Sequence, residues 1–277
     1  MCIITGSVAY VGATKLLVMP STDTLRQLTV YSNNVTSYSK NLMILPVPYP
    51  STIRFELLTM DYDTLFVDAK KSFKKLWKNE SQENTRSIHN TLEIFDVGSY
   101  KVSIAHTVQD LLHIDKSLFN NSENLVEHLK DEYPPPFGFL VCMLKEGSSS
   151  YKPLAYSHDL WNNALFLPTK HYHPDTKTKM HMQPYINNWD HEIYSLGTPI
   201  TYETHSLSYM PHQQHNLNLS YFSKDFQHLS LPPLRRLDIK GGYKNIDIIL
   251  QLEFKKKEST PYTFSLTGFK QLKGAFK

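Results

Sequence analysis

The eight-residue run Phe137–Leu144, FGFLVCML, most constrains the fold of this chain. It is wholly apolar, follows Pro134-Pro135-Pro136 and stops at KEGSSS. A run that short, bounded by turn residues, reads as a central strand buried on both faces. It cannot span a bilayer, and no stretch of the 277 residues approaches 18 consecutive apolar positions.

Other segments have the same grain. IITGSVAYV, TKLLVMP, RQLTVYSN, NLMILPVP and TIRFELLTM follow one another between residues 3 and 60. Gly12, Asn33-Asn34 and the Pro46–Pro50 cluster are expected to divide them as turns. In RQLTVYS, Leu28 and Val30 alternate with Gln27, Thr29 and Tyr31, the pattern of a half-buried strand. ILPVPYP carries proline at alternate positions, which predicts an edge strand or a polyproline-like exit. Further strands are expected at 92–95, 100–106, 152–158 and 164–173, and near the end in IDIILQLEF and TPYTFSLTGF.

Helices are few. Leu65, Phe66, Ala69, Phe73, Leu76 and Trp77 recur at three- and four-residue steps, with Asp61 or Asp63 as cap and five lysines on the other face. A short helix is expected over 108–112. A second amphipathic helix is expected over 122–132, with Leu125, Val126 and Leu129 inward and Tyr133-Pro-Pro-Pro ending it. The expected class is α+β and β-rich, a mostly antiparallel sheet or sandwich with two or three amphipathic helices. The polar stretch 78–90 reads as a linker between an N-terminal part, 1–85, and an α+β part, 90–277, which could share one core.

The elements Ile44–Pro48, Leu65-Phe66, Val97–Val102 and Pro153–Thr169 together resemble a widespread uncharacterised domain family. Its members carry a "VPVP"-type strand, a Leu-Phe helix, a "VGxYxV" strand and a "PLAY…LFLPT" segment. The resemblance covers about residues 25–170. It implies a β-rich architecture and brings no activity with it.

Two cysteines, Cys2 and Cys142, exclude a disulfide framework and suit a reducing compartment. The start MCIITGSVAYVG has neither a basic leader nor a cleavage site, so the expected location is cytoplasmic. Net charge is +3, but the segment 235–277 holds ten Lys or Arg and four Asp or Glu. That segment is +6, which leaves −3 for the first 234 residues. Its aromatics interleave with its cations, a pattern that can stack single-stranded nucleic acid, although the same spacing suits the inner half of a sheet.

Candidate chemistry gathers between Leu165 and Glu192. His171 and His173 are two apart, so on a strand they share a face. With Asp190 and His191 they could hold Zn or Fe, because imidazole dominates the donor set. The bland alternative is polar surface histidines, since the chain has 13. Cys2 is a second candidate: after loss of Met1 its thiol and α-amine could act together, as in an N-terminal cysteine amidohydrolase. Gly is absent after Cys2, where class II glutamine amidotransferases carry it. There is no P-loop, GxGxxG or GxSxG. The leading expectation is a non-enzymatic binding or assembly protein with a protein partner. Asn, Lys, Tyr and Ile usage suggests AT-rich coding, as in a protist or large DNA virus. The alternatives are a metal-dependent hydrolase or metal-binding protein and the N-terminal cysteine amidohydrolase.

Overall fold

The computed structural model describes residues 2–6, 8–21, 25–56, 65–69, 94–97, 99–115, 122–144, 147–172, 185–196, 234–245, 247–251, 254–256 and 264–266. The strands are β1 (Cys2–Ile4), β2 (Val8–Pro20), β3 (Arg26–Ser37), β4 (Asn41–Pro48), β5 (Arg54–Phe55), β6 (Ile94–Val97), β7 (Tyr100–Ala105), β8 (Phe137–Leu144) and β9 (Gly147–Ser150). Then come β10 (Leu154–Asp159), β11 (Ala164–Leu167), β12 (His171–Tyr172), β13 (Tyr185–Leu196), β14 (Leu234–Lys244), β15 (Ile248–Gln251), β16 (Phe254–Lys256) and β17 (Phe264–Leu266). Residues 65–69 form helix α1, and Ser122–Glu132 form helix α2.

Two large sheets carry the fold. Sheet A has the order β12-β1-β4-β8-β7-β6; sheet B has the order β14-β13-β2-β3-β10-β5, with β9 also paired to β3. Pairing is antiparallel except between β1 and β12 and between β13 and β2. Strands from before residue 57 and after residue 93 are neighbours in both sheets. The class is α+β and β-rich, as the strand periodicity implies.

Alternation along β8 shows how the layers stack. Leu140, Cys142 and Leu144 join a cluster with Leu16, Val18, Tyr31 and Ile193 of sheet B. Phe137, Phe139 and Val141 face the other way, onto Leu125, Val126 and Leu129 of α2 and onto Tyr133 just past its end. β4 does the same, with Met43, Leu45 and Val47 toward sheet B and Leu42 and Ile44 toward α2. Sheet A is therefore an apolar slab with both faces covered, which is why FGFLVCML lacks polar alternation. Each large side chain buried this way contributes about 1.5–3 kcal/mol. On sheet B, Phe66 of α1 packs its ring on Tyr194 of β13 at 5.8 Å.

Gly138 is required by this packing. A Cβ there would stand 2.4 Å from the Ala105 carbonyl oxygen and 2.6 Å from Pro50 Cγ. The approach brings the end of β7 and the Pro50 turn onto β8.

Several local readings need correction. Gly12 and Asn33-Asn34 are not turns: they lie inside β2 and β3, paired as Gly12↔Asn34. The ladder instead absorbs a register shift between Gly12 and Lys15, where Ala13 takes φ 50°. β3 is not half-buried, since Gln27, Thr29 and Tyr31 are as enclosed as Leu28 and Val30. Gln27 tolerates this because its amide exchanges hydrogen bonds with the Phe166 backbone: Nε2 donates to the carbonyl at 2.7 Å, and Oε1 accepts from the N–H at 2.8 Å.

β4 is interior rather than an edge. β8 flanks it throughout, and β1 pairs with Met43 and Ile44 on its other side. The prolines fit because of their parity. The Leu42 carbonyl accepts from Thr5 N–H on the β1 side, so Pro46 and Pro48 turn their missing donors to that same side. Among the described residues β1 has no register partner there. Gly241-Gly242 lies within β14 opposite the irregular stretch of β13.

The expected helix beyond residue 69, the linker 78–90 and His173 lie outside the described residues. So do Tyr262, Phe269 and Phe276 of the basic aromatic segment. In that segment β16 and β17 form a two-stranded sheet with Lys256 opposite Phe264.

Candidate functional site at the seam between the sheets

β12 begins directly after a polar clamp. Pro168 ends β11, and the next backbone N–H groups have no ladder of their own. Asp247, between β14 and β15, supplies the acceptors: Thr169 and Lys170 N–H both donate to its Oδ1 at 2.9 Å. Its Oδ2 accepts from Tyr133 Oη at 2.6 Å. Asn245 then acts as a substitute strand neighbour for His171, whose N–H donates to Asn245 Oδ1 at 2.7 Å. Asn245 Nδ2 donates back to the His171 carbonyl, also at 2.7 Å. Lys170 forms an ion pair with Glu132 at the end of α2. Burial, then the Asp247 charge, pushes the Tyr133 phenol well above its ordinary value, so it stays a donor.

This clamp sets His171 at the outer strand of sheet A, in register with Cys2 of β1. His191 comes from sheet B, in register with Thr14 of β2. Its neighbour Ile193, two residues on, belongs to the inter-sheet core, so His191 and Thr14 look into the sandwich. The two imidazoles meet with Nε2 atoms 3.0 Å apart and ring planes at 85°. His191 is 1% exposed, whereas His171 is half-buried. Burial holds the His191 imidazole well below its usual value, so this ring is neutral at pH 7. A neutral pair can share one N–H between facing nitrogens, or turn two lone pairs toward one electrophile.

The structure thus brings together His171 and His191. Asp190 is placed only through its backbone, opposite Lys240. Cys2 is likewise placed by register alone. Among the described residues no group of three or more His, Cys, Asp or Glu is arranged to hold a metal. Asn245, Asp247, Tyr133 and Thr14 escaped sequence reasoning, because each is an ordinary polar residue whose partner is remote in the chain.

A second polar cluster sits at the C-terminal end of β10. Ser157, His158 and Asp159 are consecutive, but they do not form a charge-relay chain. Ser157 Oγ donates to Glu56 at 2.6 Å and accepts from Arg26 at 2.9 Å. Arg26 also reaches Asp159 at 2.8 Å and the Thr52 carbonyl at 2.7 Å. His158 Nδ1 lies 2.8 Å from the Asp159 carbonyl oxygen, and burial depresses this imidazole to about 4. Cys142 is fully buried in the inter-sheet core, and burial drives its thiol up, so no thiolate forms there.

No family model matches the chain. Its fold does find a counterpart among solved structures. The fold is similar to that of baculovirus P35. That structure aligns with a TM-score of 0.51 over 90% of this chain and 99% of P35, at 14% identity. A mutated baculovirus P35 after caspase cleavage aligns at 0.45 with 15% identity, covering 86% of this chain and 98% of that one. P35 in a complex with caspase-8 aligns at 0.45 with 14% identity, covering 87% and 96%. At such identities the P35 likeness concerns the fold. No helix among the described residues is long and apolar enough to cross a membrane.

Proposed function

We propose that this chain is a non-enzymatic, virus-type binding protein whose partner is a protease of the caspase class. One observation carries the reading: the likeness to baculovirus P35 runs through nearly the whole of both chains. P35 has been solved bound to caspase-8 and after caspase cleavage, which supplies the partner class for the proposal. The internal chemistry supports it. Among the described residues the buried thiol is inert and the Ser157 hydroxyl is tied to Glu56 and Arg26.

The experiment is direct. Purified full chain is mixed with active caspase-8, followed by gel filtration, peptide-substrate turnover and mass analysis of the chain. Co-elution with loss of turnover is the expected result. Full turnover at molar excess of the chain, with no complex and no cleavage of the chain, would sink the proposal. Retained caspase binding with full turnover would keep the partner and rule out inhibition as the consequence of binding.

A further inference from the structure

We infer that His171 and His191 form a binding site for one borderline divalent cation of the zinc class, which staples sheet A to sheet B at their edge. Three observations converge on it. The first is the distance. Two imidazoles on one ion at about 2.0–2.1 Å per bond have nitrogens about 3.3–3.4 Å apart at the tetrahedral angle and about 2.8–3.0 Å apart at a right angle. The observed Nε2–Nε2 separation of 3.0 Å lies at the right-angle end, so the rings need part by only about 0.3–0.4 Å to admit a tetrahedral ion.

The second is a spare oxygen. Thr14 Oγ1 is buried and has no hydrogen-bond partner among the described residues. Thr14 is the register partner of His191 on the adjacent strand and shares its face. A buried hydroxyl without a partner costs about 1–3 kcal/mol, and a water bound to the ion would satisfy it.

The third is rigidity. Asn245 holds both backbone groups of His171, and Asp247 holds the two residues before it. One ligand is thus fixed by sheet A and the β14–β15 connection, and the other by the body of β13 in sheet B. An ion joining them constrains the relative position of the two sheets, so its binding free energy appears as stability. The half-buried His171 leaves a route for entry. The competing arrangement is a plain N–H···N hydrogen bond between the rings, which has no affinity for metal. This proposal is independent of the caspase partner, and either can fail alone.

The test uses untagged full chain stripped with chelator, then titrated with ZnCl2. Calorimetry and thermal melts are compared for the natural chain, His171→Gln, and a control, His106→Gln, at an exposed histidine outside the seam. One equivalent is expected to bind and to raise the melting temperature. His171→Gln should lose that equivalent and the shift, while His106→Gln keeps both. In case His171→Gln does not fold, imidazole ¹⁵N spectra of the natural chain provide a second readout. The Nε2 signals of the two contacting rings should move together on adding one equivalent. No zinc-dependent shift, an equal shift in His171→Gln, or unmoved signals for the contacting pair would each overturn the site.

Discussion

The two buried zones of this protein obey different rules. In sheet A, β4 and β8 enclose side chains by strict alternation, toward sheet B or toward α2. At the seam, enclosure follows no period: Tyr133, Thr169, Lys170, His171, Asn245 and Asp247 satisfy one another from separate parts of the chain. Apolar burial is non-directional, so any side chain of suitable size serves. Polar burial is directional, so each group needs its own partner at hydrogen-bond distance. The slab should therefore respond to lost volume and the seam to lost acceptors.

The largest effect is expected in the slab. Phe139 is fully enclosed between α2 and the neighbouring strands, with its ring edge-on to Tyr133. Phe139→Ala should cost about 3–5 kcal/mol in chemical denaturation, and Phe139→Leu about half that. Equal costs for the two would show that volume is not what this zone measures.

At the seam, Asp247→Ala removes the acceptor of three hydrogen bonds and should cost about 3 kcal/mol. Asp247→Asn keeps an oxygen for Thr169 and Lys170 N–H and should cost about 1 kcal/mol. A seam governed by packing alone would leave Asp247→Asn as stable as the natural chain, because aspartate and asparagine have nearly the same volume. Zinc-dependent stabilisation should also weaken in Asp247→Ala, since the strand carrying His171 loses its anchor.

The pH response separates the zones further. His158 has its imidazole depressed to about 4 by burial, against an ordinary value near 6.5 in the unfolded chain. The unfolded state therefore binds the extra proton first. Stability is full above about pH 6.5 and falls as pH drops toward 4, by about 3 kcal/mol for this one group. His191 shifts in the same direction and steepens the loss. Denaturation series between pH 7 and pH 4 should show the decline, with a shallower slope in His158→Gln. A flat profile across that window would contradict neutral burial of these rings.

Much of the slab was legible beforehand. FGFLVCML announced a doubly buried strand, Leu125, Val126 and Leu129 announced the inward stripe of α2, and both stand. Glycine and asparagine misled at Gly12 and Asn33-Asn34, because long paired strands absorbed them through irregular register. Alternate prolines suggested an edge for β4, yet their parity puts the lost donors on the side where β1, among the described residues, has no register partner. His171 and His191 could be named from the sequence as neighbours in a His-rich stretch. Their meeting across two sheets could not, nor could the service of Asn245 and Asp247.

The residue pattern alone determined which segments are strands with apolar faces and which are amphipathic helices, because period and volume are local properties. Only the tertiary structure decided which polar groups face one another. A hydrogen bond needs two atoms about 3 Å apart, and strand order brings those atoms together from anywhere in the chain.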